Sequence, residues 1–346
     1  MRIISAQALC LVLLVSLPFA VIFGLNSGAV DIPIETIIDL GFEVFQSSDK
    51  DTAAQQAKTI LFDIRLPRIC LAILIGAILA ISGAVMQGLF RNPLAAPSLI
   101  GVSSGASVGA SVVIVLAGAW LQSNTASGLS LVAVGAFIGS FLVTVLVYRL
   151  STSALGTSVT TMLLAGIAVS ALAGAVSGLL SYYADNEMLR QISIWQMGNL
   201  STANWQRVLV LTVVAILVLS LFPRESKSLN ALLLGESEAR HLGIDVQQVK
   251  RKLILLTTLG IGTAVAIGGM IGFVGLIVPH IVRLLIGPDH RWLLPASALA
   301  GGVLLLLADT IARIIIAPTE LPTGILTAIL GAPFFIMLLV QQRREL

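Results

Sequence analysis

Residues 92–148 read NPLAAPSLIGVSSGASVGASVVIVLAGAWLQSNTASGLSLVAVGAFIGSFLVTVLVY, 57 consecutive positions without Asp, Glu, Lys or Arg. A helix crosses a bilayer core of about 30 Å with roughly 20 apolar residues. The stretch is too long for one crossing, so it holds two. The polar cluster Gln122-Ser123-Asn124-Thr125-Ala126-Ser127-Gly128 marks the turn between them. Barrel strands would alternate polar and apolar positions over segments of about ten residues. Here the apolar runs are continuous and rich in Leu, Ala and Gly, so the reading is helical.

The same pattern extends in both directions. Charge-free runs cover residues 3–30, 69–90, 150–184, 253–282, 292–308 and 321–342. Of the 346 residues 57% are hydrophobic and 11% are charged, where soluble domains carry roughly 25% charged residues. A soluble domain could not hide so much apolar surface, and a disordered chain would be poor in it. Cys10 and Cys70 both lie in apolar runs. They make neither a disulfide framework nor a cysteine metal site. The expected fold is all-α: one polytopic transmembrane bundle over residues 1–346, with about ten spans. These fall at 6–26, 61–90, 98–119, 129–149, 158–181, 205–222, 252–269, 271–287, 292–312 and 323–341. The eighth follows Gly268-Gly269 and contains Pro279 and His280.

An even number of spans puts both termini on one side. That side carries 13 of the Lys and Arg residues and the other carries 7. Basic residues are retained in the cytoplasm, so the N- and C-termini are expected there. Small residues recur at helix-packing spacing: Gly101, Gly105 and Gly109; Gly135 and Gly139; Gly166, Ser170, Gly174 and Gly178. The expectation for all three stripes is close backbone packing within the bundle.

Residues 223–252 form the one substantial cytoplasmic segment, with ten charges. Ser228 is expected to cap a short helix that ends at Gly235, and a second short helix should stop at Gly243. Leu229, Leu232, Leu233, Ala239 and Leu242 are too many apolar groups for a plain solvated loop. A docking surface for a cytoplasmic partner explains them, and a loop packed on its own bundle is the alternative. The chain has no G-x-x-x-x-G-K-[ST] loop to hold a nucleotide, so any ATP chemistry must come from elsewhere.

Several blocks, taken in order, resemble the iron-chelate, haem and cobalamin permease family of ATP-binding-cassette importers. They are Arg65-Leu66-Pro67-Arg68, Gly83-Ala84-Val85-Met86-Gln87, Arg91-Asn92-Pro93-Leu94-Ala95-Ala96-Pro97 and Trp195-Gln196-Met197-Gly198. After these come Leu234-Gly235-Glu236 through Leu242-Gly243, then Gly272 through His280, and Asp289-His290-Arg291 with Leu294-Pro295. Glu320 through Gly324 and Gly331-Ala332-Pro333-Phe334 close the series. The blocks span most of the chain from Arg65 onward. Ala96 stands where the family often has an acidic residue, and Asn199 where small residues are common.

The resemblance implies a homodimeric permease in the bacterial inner membrane, embedded in the lipid bilayer. Two cytoplasmic ATP-binding subunits would carry the ATP and Mg, and a periplasmic substrate-binding protein would deliver the ligand. It implies no cofactor on this chain, no metal site, no enzymatic activity of its own and no nucleic-acid partner. It assigns binding-protein docking to Arg65, Arg68 and Arg313. ATPase coupling goes to Leu229, Leu232, Leu233, Gly235, Glu236, Ala239, Leu242 and Gly243. The cytoplasmic gate goes to Asn92, Leu94, Ser158 and Thr160. The expected cargo is haem or an iron–siderophore, with cobalamin as the alternative. An ion-coupled secondary transporter is a further reading, but it needs intramembrane carboxylates or broken helices at mid-depth. Only Asp309 approaches that, and Arg313 at i+4 offers it a structural partner. His280 and His290 are expected to be hydrogen-bonded rather than liganding.

Overall fold

The computed structural model describes residues 3–28, 52–118, 125–153 and 156–344. Its helices are α1 (Ala6–Asn26), α2 (Thr52–Thr59), α3 (Leu66–Leu89), α4 (Val102–Leu116), α5 (Thr125–Ser151), α6 (Val159–Tyr183) and α7 (Asn186–Met197). They continue as α8 (Trp205–Leu221), α9 (Ser226–Leu234), α10 (Glu236–His241), α11 (Val246–Gly268), α12 (Val274–Ile286), α13 (His290–Ile314) and α14 (Thr323–Arg344). A π-helical turn, Ile60–Arg65, joins α2 to α3 without a break. Two-residue strands β1 (Thr152–Ser153) and β2 (Gly156–Thr157) pair antiparallel between α5 and α6.

The chain is the expected all-α membrane bundle. Among the described residues seven helices are long and apolar enough to cross a membrane, and three more are apolar but shorter. Together they occupy the ten expected spans, with ends shifted by several residues. Of the predicted turn at 122–128, residues 122–124 lie outside the described residues, and α5 begins at Thr125. α11 starts at Val246 rather than 252, because the Asp245 side chain caps it by accepting from the Gln248 N–H. Ser5, Ser158, Asp185 and Asn204 cap α1, α6, α7 and α8 in the same way.

The span expected at 271–287 needs the largest correction. α12 has 13 residues, about 20 Å at 1.5 Å per residue, too short for the bilayer core. The non-helical stretch 269–273 precedes it. Irregular backbone at such depth is tolerated only when buried and partnered. Gly269 and Ile271 are buried and Met270 and Phe273 half-buried, with Gly272 exposed, and the surrounding backbone is partnered. The Asn199 N–H donates to the Gly268 carbonyl at 2.9 Å, the Met270 N–H to the Trp195 carbonyl at 3.4 Å, and the Gly324 N–H to the Gly198 carbonyl at 3.2 Å.

α3 is the axis of the fold. Nearly all of it from Pro67 to Leu89 is buried, against α13, α12, α11 and α8. α3 and α13 run antiparallel, as contacts at three levels require. Arg68 meets Asp309 at one end, the Gly76 and Gly301 backbones touch in the middle, and Gly88 meets His290 at the other. α4 and α5 make a second antiparallel pair, in which Gly105 lies against Gly139 and Gly109 against Gly135. A Cβ at any of these glycines except Gly88, which faces the His290 ring, would strike the facing backbone, so glycine sets the interhelical distance. The outer faces of α1, α6, α8 and α14 carry exposed Leu, Ile, Val and Phe, including Phe19, Leu164, Ile167, Leu209, Ile216 and Ile329. Exposed apolar surface on this scale fits a lipid or protein neighbour and not water.

Candidate functional site

Three places on this scaffold carry chemistry. The first is the N-terminal end of α3. Arg68 donates from Nε and Nη2 to the Asp309 carboxylate at 2.9–3.2 Å, and from Nη1 to Glu320 at 2.7 Å. Asp309 also accepts from the Thr323 hydroxyl at 2.8 Å and lies 3.5 Å from Arg313 Nε. Arg313 donates to the Gly24 carbonyl at 3.1 Å, and Arg65 donates to the Leu25 carbonyl. One cluster therefore ties together α1, α3, α13 and the start of α14.

The three arginines assigned to docking, Arg65, Arg68 and Arg313, are buried in this chain. Their exposures are 4%, 4% and 5%, and Asp309 is fully buried. The reason is tertiary: a carboxylate 241 positions away in sequence takes the Arg68 fork. Bidentate, charge-assisted pairing of this kind is the strong form of the interaction. The expected Asp309–Arg313 pairing is present, but Arg68 is the closer partner. Glu320 is the open edge of the cluster, with its side chain 42% exposed.

The second place is a cavity of about 400 Å³ lined by Ser104, Ser107, Ser170, Ser177, Ser181 and Gln196, with Gly174, Gly178 and Met270. The Ser104 and Ser170 hydroxyls are 3.0 Å apart, and Gln196 Nε2 donates to the Ser107 hydroxyl at 3.3 Å. Sequence reasoning missed this site. It assigned Gly166, Ser170, Gly174 and Gly178 to packing, and only the first two meet a neighbouring element. A Cβ on Gly166 would meet the Leu99 carbonyl, whereas Gly174 and Gly178 have nothing within 4 Å. The available signal was the repetition of serine on α4 and α6 at helical spacing. On the same outer side, a cavity of about 390 Å³ is lined by Glu187, Arg190, Trp195, Asn199 and Arg207. Bidentate hydrogen bonds from Arg190 hold the Glu187 carboxyl below its usual range.

The third place is the charged segment 223–252. α9 and α10 form as expected, and both end at glycines of positive φ, Gly235 at 131° and Gly243 at 82°. Ser228 is not the cap: α9 begins at Ser226, and the Ser228 hydroxyl donates to Glu225 at 3.1 Å. The proposed coupling residues divide by burial. Leu229, Leu232 and Ala239 are 0–2% exposed, so they face the bundle and are unavailable to a partner. Leu233 and Leu242 point outward, joined by Leu234 at 69% exposure. Gly235, Glu236 and Gly243 lie between them at the rim. The apolar content of the segment thus serves two surfaces at once.

α9 is clamped to α13 through polar side chains. Asn230 Oδ1 accepts from the His290 N–H at 2.9 Å and lies 2.8 Å from His290 Nδ1, while Asn230 Nδ2 donates to Asp289 at 2.7 Å. His290 is therefore a hydrogen-bonded buried residue. Asn230→Ala should lower stability by about 1–3 kcal/mol, since it leaves buried polar groups without partners. Thermal unfolding in detergent checks this, and an unchanged midpoint would remove the clamp. Of the proposed gate residues, Asn92 accepts from the Leu94 N–H at 2.9 Å. Ser158 caps α6, and Thr160 lies exposed on its first turn. The short helix Pro97–Ile100, a few residues after Asn92 and Leu94, packs on α6 at Gly166.

The chain is a multi-pass membrane transport protein by architecture. It belongs to the FecCD transport family, whose profile matches residues 13–341. It is 44% identical to the hemin transport system permease protein of Yersinia pestis, over 83% of this chain and 84% of that one. It is 47% identical to the cobalamin import system permease protein of Halobacterium salinarum, over 82% and 74%. A solved metal-chelate type ABC transporter in an inward-facing conformation aligns with a TM-score of 0.81 at 33% identity, covering 97% of this chain and 99% of that one.

Proposed function

We propose that this chain is the translocating subunit of an ATP-driven importer that carries haem or a related iron chelate from periplasm to cytoplasm across a bacterial inner membrane. The observation that carries the reading is the serine-lined cavity between α4 and α6. It is polar within an apolar bundle, and it opens beside the exposed apolar flank formed by Leu172 and Leu179. A second copy of the chain facing that flank would convert the groove into an enclosed path. Hydroxyls and small residues offer a bulky ligand weak, replaceable contacts, which suits passage better than retention.

The partners follow from the surfaces. Leu233, Leu234 and Leu242 form the face for a cytoplasmic ATPase subunit, which supplies the hydrolysis. A periplasmic binding protein would meet the outer cluster at Glu320, and a carboxylate on that partner would replace Glu320 at Arg68. Arg65 and Arg313 hold the cluster from behind. Asn92, Leu94, Ser158 and Thr160 remain the proposed cytoplasmic gate. The irregular 269–273 segment is a feature that a gradient-driven transporter would use, but its five residues include no carboxylate.

The test is haemin uptake by proteoliposomes that hold this chain with its ATPase. Uptake should require ATP and the ATPase. Leu234→Asp combined with Leu242→Asp should release the ATPase and abolish uptake. Uptake driven by an ion gradient alone would overturn the reading. A cobalamin cargo is favoured by the similarity to a cobalamin import permease, and cobalamin uptake without haemin uptake would establish it.

A further inference from the structure

Lys250 is a buried cation that the functions above leave unused. It lies in the second turn of α11 and is 1% exposed. Burying a charge is costly unless it is paired and hydrogen-bonded. Here the ammonium donates to Glu236 Oε1 at 2.7 Å and to the Thr157 backbone carbonyl at 2.8 Å. Glu236 is the first residue of α10, and Thr157 is the last residue of β2. One side chain therefore bridges the short helix at the cytoplasmic face and the hairpin that leads into α6.

A second grip sits one turn away. Gln247 Oε1 accepts from the Thr157 N–H at 3.0 Å. Both backbone groups of Thr157 are thus held by α11 side chains three positions apart, a spacing that puts them on one helix face. The Gln247 amide also occupies the space where a Cβ on Gly156 would stand, and Gly156 has a φ of 111° that favours glycine. On the far side, the Ser158 N–H donates to the Ser151 carbonyl at 3.0 Å and the Ser158 hydroxyl caps α6. From Thr157 onward the chain cannot shift without carrying the start of α6, the helix that lines the serine cavity.

We propose that Lys250, with Gln247, is a positioning residue that transmits displacement of α10 to the cytoplasmic end of α6. The inference rests on the reading of this chain as an ATP-driven permease. Its physical basis is that Glu236, Lys250 and Thr157 form a continuous chain of short polar contacts within a low-dielectric setting. Such contacts are strong and directional there. The two ends of the chain differ in exposure. Glu236 has a side chain 32% exposed at the cytoplasmic rim, and Thr157 is buried. A push delivered at the rim therefore has a defined route inward.

The experiment uses the assembled transporter in proteoliposomes, with haemin as cargo and ATP hydrolysis measured in parallel. Lys250→Met should leave ATP hydrolysis within about twofold of wild type, while haemin delivered per ATP falls about tenfold, the size of a typical coupling between sites. Gln247→Leu, which strands no charge, should act in the same direction more weakly, and it carries the test if Lys250→Met fails to assemble. A second measurement does not depend on the cargo. With Cys10 and Cys70 replaced by Ala, the maleimide reactivity of Thr160→Cys should respond to ATP in the otherwise native chain and not with Lys250→Met. Unchanged haemin per ATP and an intact ATP response in both variants would overturn the proposal. A wild type without ATP-dependent haemin uptake whose Thr160→Cys still responds to ATP through Lys250 would overturn the cargo reading and leave the linkage standing.

Discussion

Asp309→Ala is expected to lower stability by about 3–5 kcal/mol, the cost of leaving buried charge without its partner. Native domains have only about 5–15 kcal/mol in total, so the variant should express poorly or unfold many degrees below wild type in detergent. The reason lies in the arithmetic of the cluster. Asp309 lies 2.9 Å from Arg68 and 3.5 Å from Arg313, and all three side chains are 5% exposed or less. Removing it takes away the carboxylate paired with Arg313 and leaves Arg68 only Glu320, whose side chain is 42% exposed. Arg68→Met should be milder, because Asp309 keeps Thr323 and Arg313. The order of the two unfolding midpoints is the measurement. An Asp309→Ala protein that melts with wild type would show that the cluster adds nothing.

Gly109→Leu and Gly174→Leu should fail in opposite ways, though both glycines belong to stripes of similar appearance. A side chain at Gly109 would enter the Gly135 backbone. Overpacking costs about 1–3 kcal/mol when side chains can yield, and backbone yields less, so the upper end or beyond is expected. Gly174 faces the serine-lined cavity with nothing within 4 Å. Leucine there should fold normally and even gain helix propensity over glycine, by about 1 kcal/mol. It would instead fill the proposed path, and uptake should fall roughly tenfold or more at constant ATP hydrolysis, a loss confined to the transport step. Equal uptake by Gly174→Leu and wild type would remove this cavity from the route.

These pairs show where the sequence was readable and where it stopped. The ten spans were legible because hydropathy is a local property, summed over a window that matches the bilayer. The caps at Ser158 and Asp245 are local too, since a capping side chain reaches only two or three residues ahead, but run length alone passed over them and set α11 six residues late. Ser228 was misread because a serine near a helix start is compatible with several registers. The 3-10 turn Pro223–Glu225 leads straight into α9 and makes Glu225 the N-cap, three residues before Ser228. The coupling leucines were found as a group, but their division into inward and outward sets depends on how α9 is rolled against α3 and α13. The clamp of Asn230 on His290 decides that roll.

The sequence by itself determined that this is a polytopic helical membrane protein with its basic residues biased to one side. Its ordered motifs placed it in its family. Those features depend on composition, run length and spacing, which do not change when the chain folds. Only the tertiary structure decided that Arg65, Arg68 and Arg313 are buried girders rather than exposed charges, and that half a glycine stripe lines a cavity. It also showed that Lys250 touches both α10 and the hairpin before α6. Each depends on partners brought from elsewhere in the chain, 241 positions away for Arg68 and Asp309 and 93 for Lys250 and Thr157. No local pattern records which distant group will fill the space beside a side chain, because that is settled by how whole helices pack.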